Sequence, residues 1–113
     1  MHDRPFGRTG FRVSEIGFGA WGIGGGWGTR DDDAALEALD AALDAGITFF
    51  DTAMAYGDGH SEQLVGRAVA ACRDQVVVAT KISPKTSRWP ALPRDPVHET
   101  FPGDWIVECT EAS

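Results

Sequence analysis

Two spacings of apolar residues run through the chain, one helical and one extended. In "TRDDDAALEALDAALDAG", residues 29–46, Leu36, Leu39 and Leu43 fall on one helical face with Ala35 and Ala42 beside them. Thr29 or one of the three aspartates that follow is placed to cap this helix, and Gly46 to end it. A second helix is expected over "SEQLVGRAVAAC", capped by Ser61. Leu64, Ala68 and Cys72 share its face, Val65 and Val69 lie adjacent, and Glu62 and Arg73 suit the two ends of its dipole. The extended runs are shorter. "ITFF", residues 47–50, reads as a strand, and the β-branched run of "QVVVATKI" as a parallel strand buried on both faces. Ahead of them, "RPFGRTGFRV" predicts a hairpin and "SEIGFGAW" a short strand. Five of the six prolines lie between Pro84 and Pro102, which predicts a long extended connection with neither helix nor strand. A last helix is expected from about Asp104 in "GDWIVECTEAS", with no capping signal before Ser113.

The predicted order is hairpin, β, α, β, α, β, long loop, α. Strand alternating with helix implies βαβ units and a parallel sheet, hence an α/β fold. The 113 residues are read as a single domain unit. Composition narrows the setting. Hydrophobic residues at 42% and charged residues at 24% are those of a soluble globular chain. A net charge of −7 without a basic stripe argues against a nucleic-acid partner. No apolar run approaches the length of a membrane span, and the first residues have no signal-peptide character. Cys72 and Cys109 lack metal-ligand spacing, so no metal is expected, and two buried thiols in a reduced cytoplasmic chain are.

Gly17, Gly19 and Gly22 form a literal G-x-G-x-x-G after a strand. A dinucleotide fingerprint needs a helix to begin at the third glycine, so that its amides face a pyrophosphate. Gly24, Gly25, Gly26 and Gly28 follow instead, so no helix is expected before about residue 30. A strand ending at a site and followed by a loop is the better reading. Trp21 and Trp27 in that loop are placed either to wall an apolar pocket or to cover the edge of the core.

The candidate chemistry lies in "ITFFDTAMAYG" and "VVVATK". Asp51 ends one expected parallel strand and Lys81 the next, both at the carboxyl edge, where α/β proteins bind ligands. Neighbouring strands about 4.8 Å apart allow the two side chains to meet. One reading is a buried structural ion pair. The other adds Tyr56. An ammonium beside a phenol favours the phenolate, and a carboxylate keeps the ammonium charged and in place. Such a trio is a proton donor suited to a developing alkoxide, as in carbonyl reduction, where the hydride must come from a cofactor.

The blocks "RTGFRVSEIGFGAW", "DAGITFFDTAMAYGDGHSEQLVGRA", "VVVATKI" and "ECTEAS" resemble the first part of an aldo/keto reductase, from about Arg4 to the last residue. "DTA…YG…SE…G" joined to "ATK" is the specific part. The resemblance implies the N-terminal portion of a (β/α)8 TIM barrel, a hairpin floor plus about three βα units. It implies NADP(H)-dependent reduction of aldehydes or ketones, or the reverse. Of that family's Asp, Tyr, Lys and His tetrad, it implies that Asp51 is the aspartate, Tyr56 the general acid and Lys81 the lysine. It places Gly19, Ala20, Trp21 and Asp51 at the cofactor and Trp21 at the substrate pocket. None of His2, His60 and His98 matches the tetrad histidine, which belongs to a fourth strand. The chain alone is therefore expected to be an inactive part of a barrel. Two other readings stay open: a binding or regulatory module of the same fold, and a self-contained flavodoxin-like α/β domain.

Overall fold

A computed structural model describes residues 1–26, 28, 30–88, 90 and 92–113. Trp27, read above as a pocket wall or a cover for the edge of the core, and Thr29, a candidate cap, lie outside them. The hairpin forms as expected. Strand β1 (Asp3–Pro5) pairs antiparallel with β2 (Arg12–Ser14). Three further strands, β3 (Phe18–Gly19), β4 (Phe49–Asp51) and β5 (Val77–Ala79), make one parallel sheet in the order β3-β4-β5. The hairpin is tied to the start of β4 through side chains. The Ser14 N–H donates to Thr48 Oγ1 at 2.8 Å, and the Thr48 N–H donates to Ser14 Oγ at 2.9 Å.

Helix α1 (Asp32–Asp44) is capped by Asp31, whose carboxylate accepts from the Ala34 N–H at 2.9 Å. Asp32 and Asp33 occupy its first turn, the favourable end of the dipole. Helix α2 (His60–Val69) starts without a side-chain cap, behind Gly59 at φ +81°. Ser61 is thus inside the helix and does not cap it. The helix also ends earlier than expected. After Val69 the chain tightens into a 3-10 segment, Ala70–Gln75, broken at Cys72. Arg73 then donates to the Val76 carbonyl at 3.2 Å.

Ala20, Ala35, Leu39, Ala42, Phe50, Leu64, Val65, Val69 and Val76 form the core, where α1 and α2 meet the sheet. Leu36 and Leu43 are only half-buried at its margin. Strand β5 departs from expectation. Val77, Val78 and Ala79 are half-buried, because β5 pairs with β4 on one side and is an edge on the other. Cys109 is buried, whereas Cys72 at the helix break is half-buried.

The proline-rich stretch is not wholly extended. It contains a one-turn helix, α3 (Val97–Thr100), behind Pro96. A proline ahead of a first turn withholds an N–H that would have had no helical partner, so the turn tolerates it. Helix α4 (Gly103–Ala112) follows close to the expected start. It is joined back to the loop after β5 by the Trp105 indole N–H, which donates to the Ser83 carbonyl at 2.8 Å. No helix among the described residues is long and apolar enough to cross a membrane.

Candidate active site

The carboxyl edge of the sheet is in register across its three strands. Gly19 stands opposite Asp51, and Asp51 opposite Ala79. Beyond that row the Ala20 N–H donates to the Asp51 carbonyl, and the Thr52 N–H to the Ala79 carbonyl, each at 2.8 Å. Side chains alternate along a strand. Phe50 and Thr52 therefore point into the core, at 0% and 1% exposure, and Asp51 points out.

Lys81 lies two residues beyond β5. Its ammonium donates to both Asp51 oxygens, at 2.8 and 2.9 Å, and to the Thr52 carbonyl at 2.9 Å. Burial lowers its pKa, but the hydrogen bonds and charges of Asp51 and Tyr56 raise it by more. The lysine is held above its ordinary value and is an ammonium at neutral pH. The pair is not the buried one that the structural reading required. The Lys81 side chain is 50% exposed and that of Asp51 42%.

Tyr56 is half-buried in the turns between β4 and α2. Its N–H donates to the Ala53 carbonyl at 2.9 Å, and its own carbonyl accepts from the Ser61 N–H at 3.1 Å. The phenol ring has the Lys81 ammonium 5.1 Å from its centroid and the Trp21 ring 6.3 Å away, tilted by 33°. Asp51, Tyr56, Lys81 and Trp21 thus converge, as the sequence places them. Tyr56 and Lys81 open onto a cavity of about 490 Å³, a size that suits a small organic ligand, with Met54, Ile82 and Trp105 on its walls. Trp21, 54% exposed, stands beside Tyr56 and not on that wall.

Two features escaped the sequence reading. Beneath the site, Thr52 Oγ1 donates to Ser61 Oγ at 2.9 Å, and Ser61 Oγ donates to the Ala20 carbonyl at 2.7 Å. All three residues are essentially without solvent contact. Ser61, read as a cap, instead ties α2 to the ends of β3 and β4. Trp105, in the last helix, reaches the cavity although nothing in its local sequence signals it. Of the histidines, His60 joins the starts of α1 and α2 through Asp32 at 2.7 Å, and none lies in the Tyr56 cluster among the described residues. No group of three His, Cys, Asp or Glu among the described residues could hold a metal.

Residues 15–113 match the model of the aldo/keto reductase family. The chain is 53% identical over 76 residues to the aldo-keto reductase YhdN of Bacillus subtilis, covering 65% of this chain and 23% of that protein. Among solved structures it resembles the holo form of the aldo-keto reductase AKR11C1 of Bacillus halodurans. The TM-score there is 0.66 and the identity 37%, over 74% of this chain and 26% of that one. It also resembles an aldo/keto reductase of Klebsiella pneumoniae in complex with NADP and acetate. That match has a TM-score of 0.59 and 37% identity, over 66% of this chain and 26% of that one. The chain spans about a quarter of the length of these relatives. Its parallel strands and flanking helices are part of a (β/α)8 barrel, and the chain belongs to the aldo/keto reductase family of oxidoreductases.

Proposed function

We propose that this chain carries the proton-donating part of the active site of an NADP(H)-dependent reductase of aldehydes and ketones. The supporting observation is the convergence of Asp51, Lys81 and Tyr56 at the carboxyl edge of three parallel strands. In this reading the Tyr56 hydroxyl gives its proton to the carbonyl oxygen of the substrate. The phenolate left behind is stabilised by the adjacent Lys81 ammonium, and Asp51 holds that ammonium in place. Solvent returns the proton to the phenol, and the reverse sequence serves alcohol oxidation.

NADPH, when bound, supplies the hydride that the side chains cannot. Asp51, Gly19 and Trp21 are the residues of this chain proposed to face it, and Ala20, expected there too, lies behind them. The edge of the sheet accommodates that role. A methyl group added at Gly19 would meet nothing within 4 Å, so the surface there is open to a flat ring. Trp21 is exposed alongside. Ala20 is fully buried, and its N–H and carbonyl are both engaged within the protein, so it serves by holding its two neighbours. The substrate class is a small carbonyl compound, with Trp21 and the cavity beside Tyr56 as its surroundings.

The test is NADPH oxidation by the full-length gene product with a reactive aldehyde such as 4-nitrobenzaldehyde. Turnover that depends on Tyr56 supports the proposal. NADPH binding with no turnover of any aldehyde or ketone would favour a regulatory module of the same fold.

A further inference from the structure

The glycines that follow Trp21 take no part in the function above, and their position gives them another. Gly22–Gly24 form a single 3-10 turn that ends at Gly25, at φ +88°. This turn lies directly on the loop that carries Tyr56. A methyl group at Gly24 would stand 2.7 Å from the Tyr56 carbonyl carbon, 2.8 Å from its oxygen and 3.0 Å from its Cβ. A methyl group at Gly57, itself at φ +71°, would overlap the Gly24 carbonyl oxygen. Real Cβ contacts under 3.0 Å essentially do not occur, so either addition must displace one backbone from the other. Arg30 closes the seam. Its guanidinium lies within 3.3 Å of where a methyl at Gly25 would be and 3.2 Å of one at Gly57.

We infer that Gly24 and Gly57, covered by Arg30, form a backbone-to-backbone clamp that sets the position of Tyr56; this rests on Tyr56 as the proton donor. The Tyr56 carbonyl, which a methyl at Gly24 would strike, is the acceptor for the Ser61 N–H at the start of α2. The Gly24 N–H donates to the Trp21 carbonyl at 3.1 Å, so the same turn holds the tryptophan whose ring lies beside the phenol. The glycines allow two main chains to touch with no side chain between them. Gly24, Gly57 and Arg30 are positioning residues, because they reach the reaction only through Tyr56.

The test compares Gly24→Ala with Gly26→Ala in the full-length gene product. A methyl at Gly26 would meet only Trp21 Nε1, at an ordinary 3.6 Å, and the parent kcat is expected. Gly24→Ala is expected to lower kcat about 10²-fold, the scale of a misplacement near 1 Å, with the NADPH dissociation constant near the parent's. These 113 residues hold one tyrosine, and in the full-length product the ring signal of Tyr56 is the one that Tyr56→Phe removes. Gly24→Ala should shift that signal and weaken its nuclear Overhauser contact with the Trp21 ring, and Gly26→Ala should do neither. If Gly24→Ala does not fold, Arg30→Ala decides, since it creates no overlap; a kcat about tenfold down with the ring signal moved is expected. Tyr56→Phe at the parent rate would remove the proton donor itself. An inactive Tyr56→Phe, beside a Gly24→Ala or Arg30→Ala with parent kcat and an unmoved ring, would overturn the clamp alone.

Discussion

Asp51 and Thr52 are consecutive in the chain, and their surroundings are opposite. The Asp51 carboxylate is 42% exposed and accepts from the Lys81 ammonium, whose side chain is itself half exposed. The Thr52 hydroxyl is sealed in the core and donates a hydrogen bond to Ser61, whose own hydroxyl donates to the Ala20 carbonyl. Exposed ion pairs contribute little to folding, whereas a buried polar group left unpaired is costly. The difference divides the labour at the sheet edge. In the proposed function the outward cluster acts on a ligand, and the inward one fixes the strand ends that present it.

The largest expected effect falls on the outward side. Tyr56→Phe keeps the ring and removes only the hydroxyl. Carbonyl reduction by the full-length protein should fall about 10²–10⁴-fold, the usual worth of general-acid assistance, with NADPH binding retained. A rate within about twofold of the parent would remove Tyr56 from its role.

Lys81→Met should be of similar size in rate, because the charge beside the phenol is gone. Its stability cost tests the comparison directly. A fully buried pair broken on one side loses about 3–5 kcal/mol, but this pair is half exposed, and a loss of no more than about 1 kcal/mol is expected. Rate and melting temperature measured on one preparation separate the two readings. Full activity per folded molecule with a large drop in stability would make the pair structural.

Ser61→Ala reverses the pattern. It strands the Thr52 hydroxyl and the Ala20 carbonyl in the core, at a cost of about 1–3 kcal/mol. Activity per folded molecule should fall far less than in Tyr56→Phe. Chemical denaturation monitored by circular dichroism reads the first quantity. A variant as stable as the parent would mean that the buried chain of hydroxyls is not what fixes the edge.

The two sides of this comparison were unequally legible in the sequence. Asp51 and Lys81 could be brought together from the sequence because each follows an apolar run, and adjacent parallel strands align such ends. Tyr56 was placed with them by its motif, since a turn of several residues carries no period to say where a side chain will lie. Ser61 was misread because a serine ahead of an apolar helical face has the signature of a cap. Only the left-handed Gly59 shows that the helix begins before it. Gly24 and Gly57 could not have been paired at all. They are far apart in the chain, and a close approach of two main chains has no sequence signal beyond glycine itself. The turn Val97–Thr100 was missed because a single helical turn among prolines is too short for a repeating face.

The smallest effect is in the pH dependence of the Asp51–Lys81 pair. Burial of Lys81 works against its charge, and Asp51 and Tyr56 more than restore it, so its pKa in the folded chain lies above the ordinary lysine value. The folded state thus binds that proton more tightly than the unfolded state does. The resulting stability is complete below the unfolded pKa of lysine, about 10.4, and is lost as pH rises through the folded value. Half exposure keeps it to no more than about 1 kcal/mol. The stability difference between the parent and Lys81→Met should therefore be level from about pH 7 to pH 9 and should close above about pH 10.5. Urea titrations of both proteins at three pH values across that range measure it. A difference that widened with rising pH would mean that Asp51 and Tyr56 do not hold the lysine charged, and the outward cluster would lose its electrostatic basis.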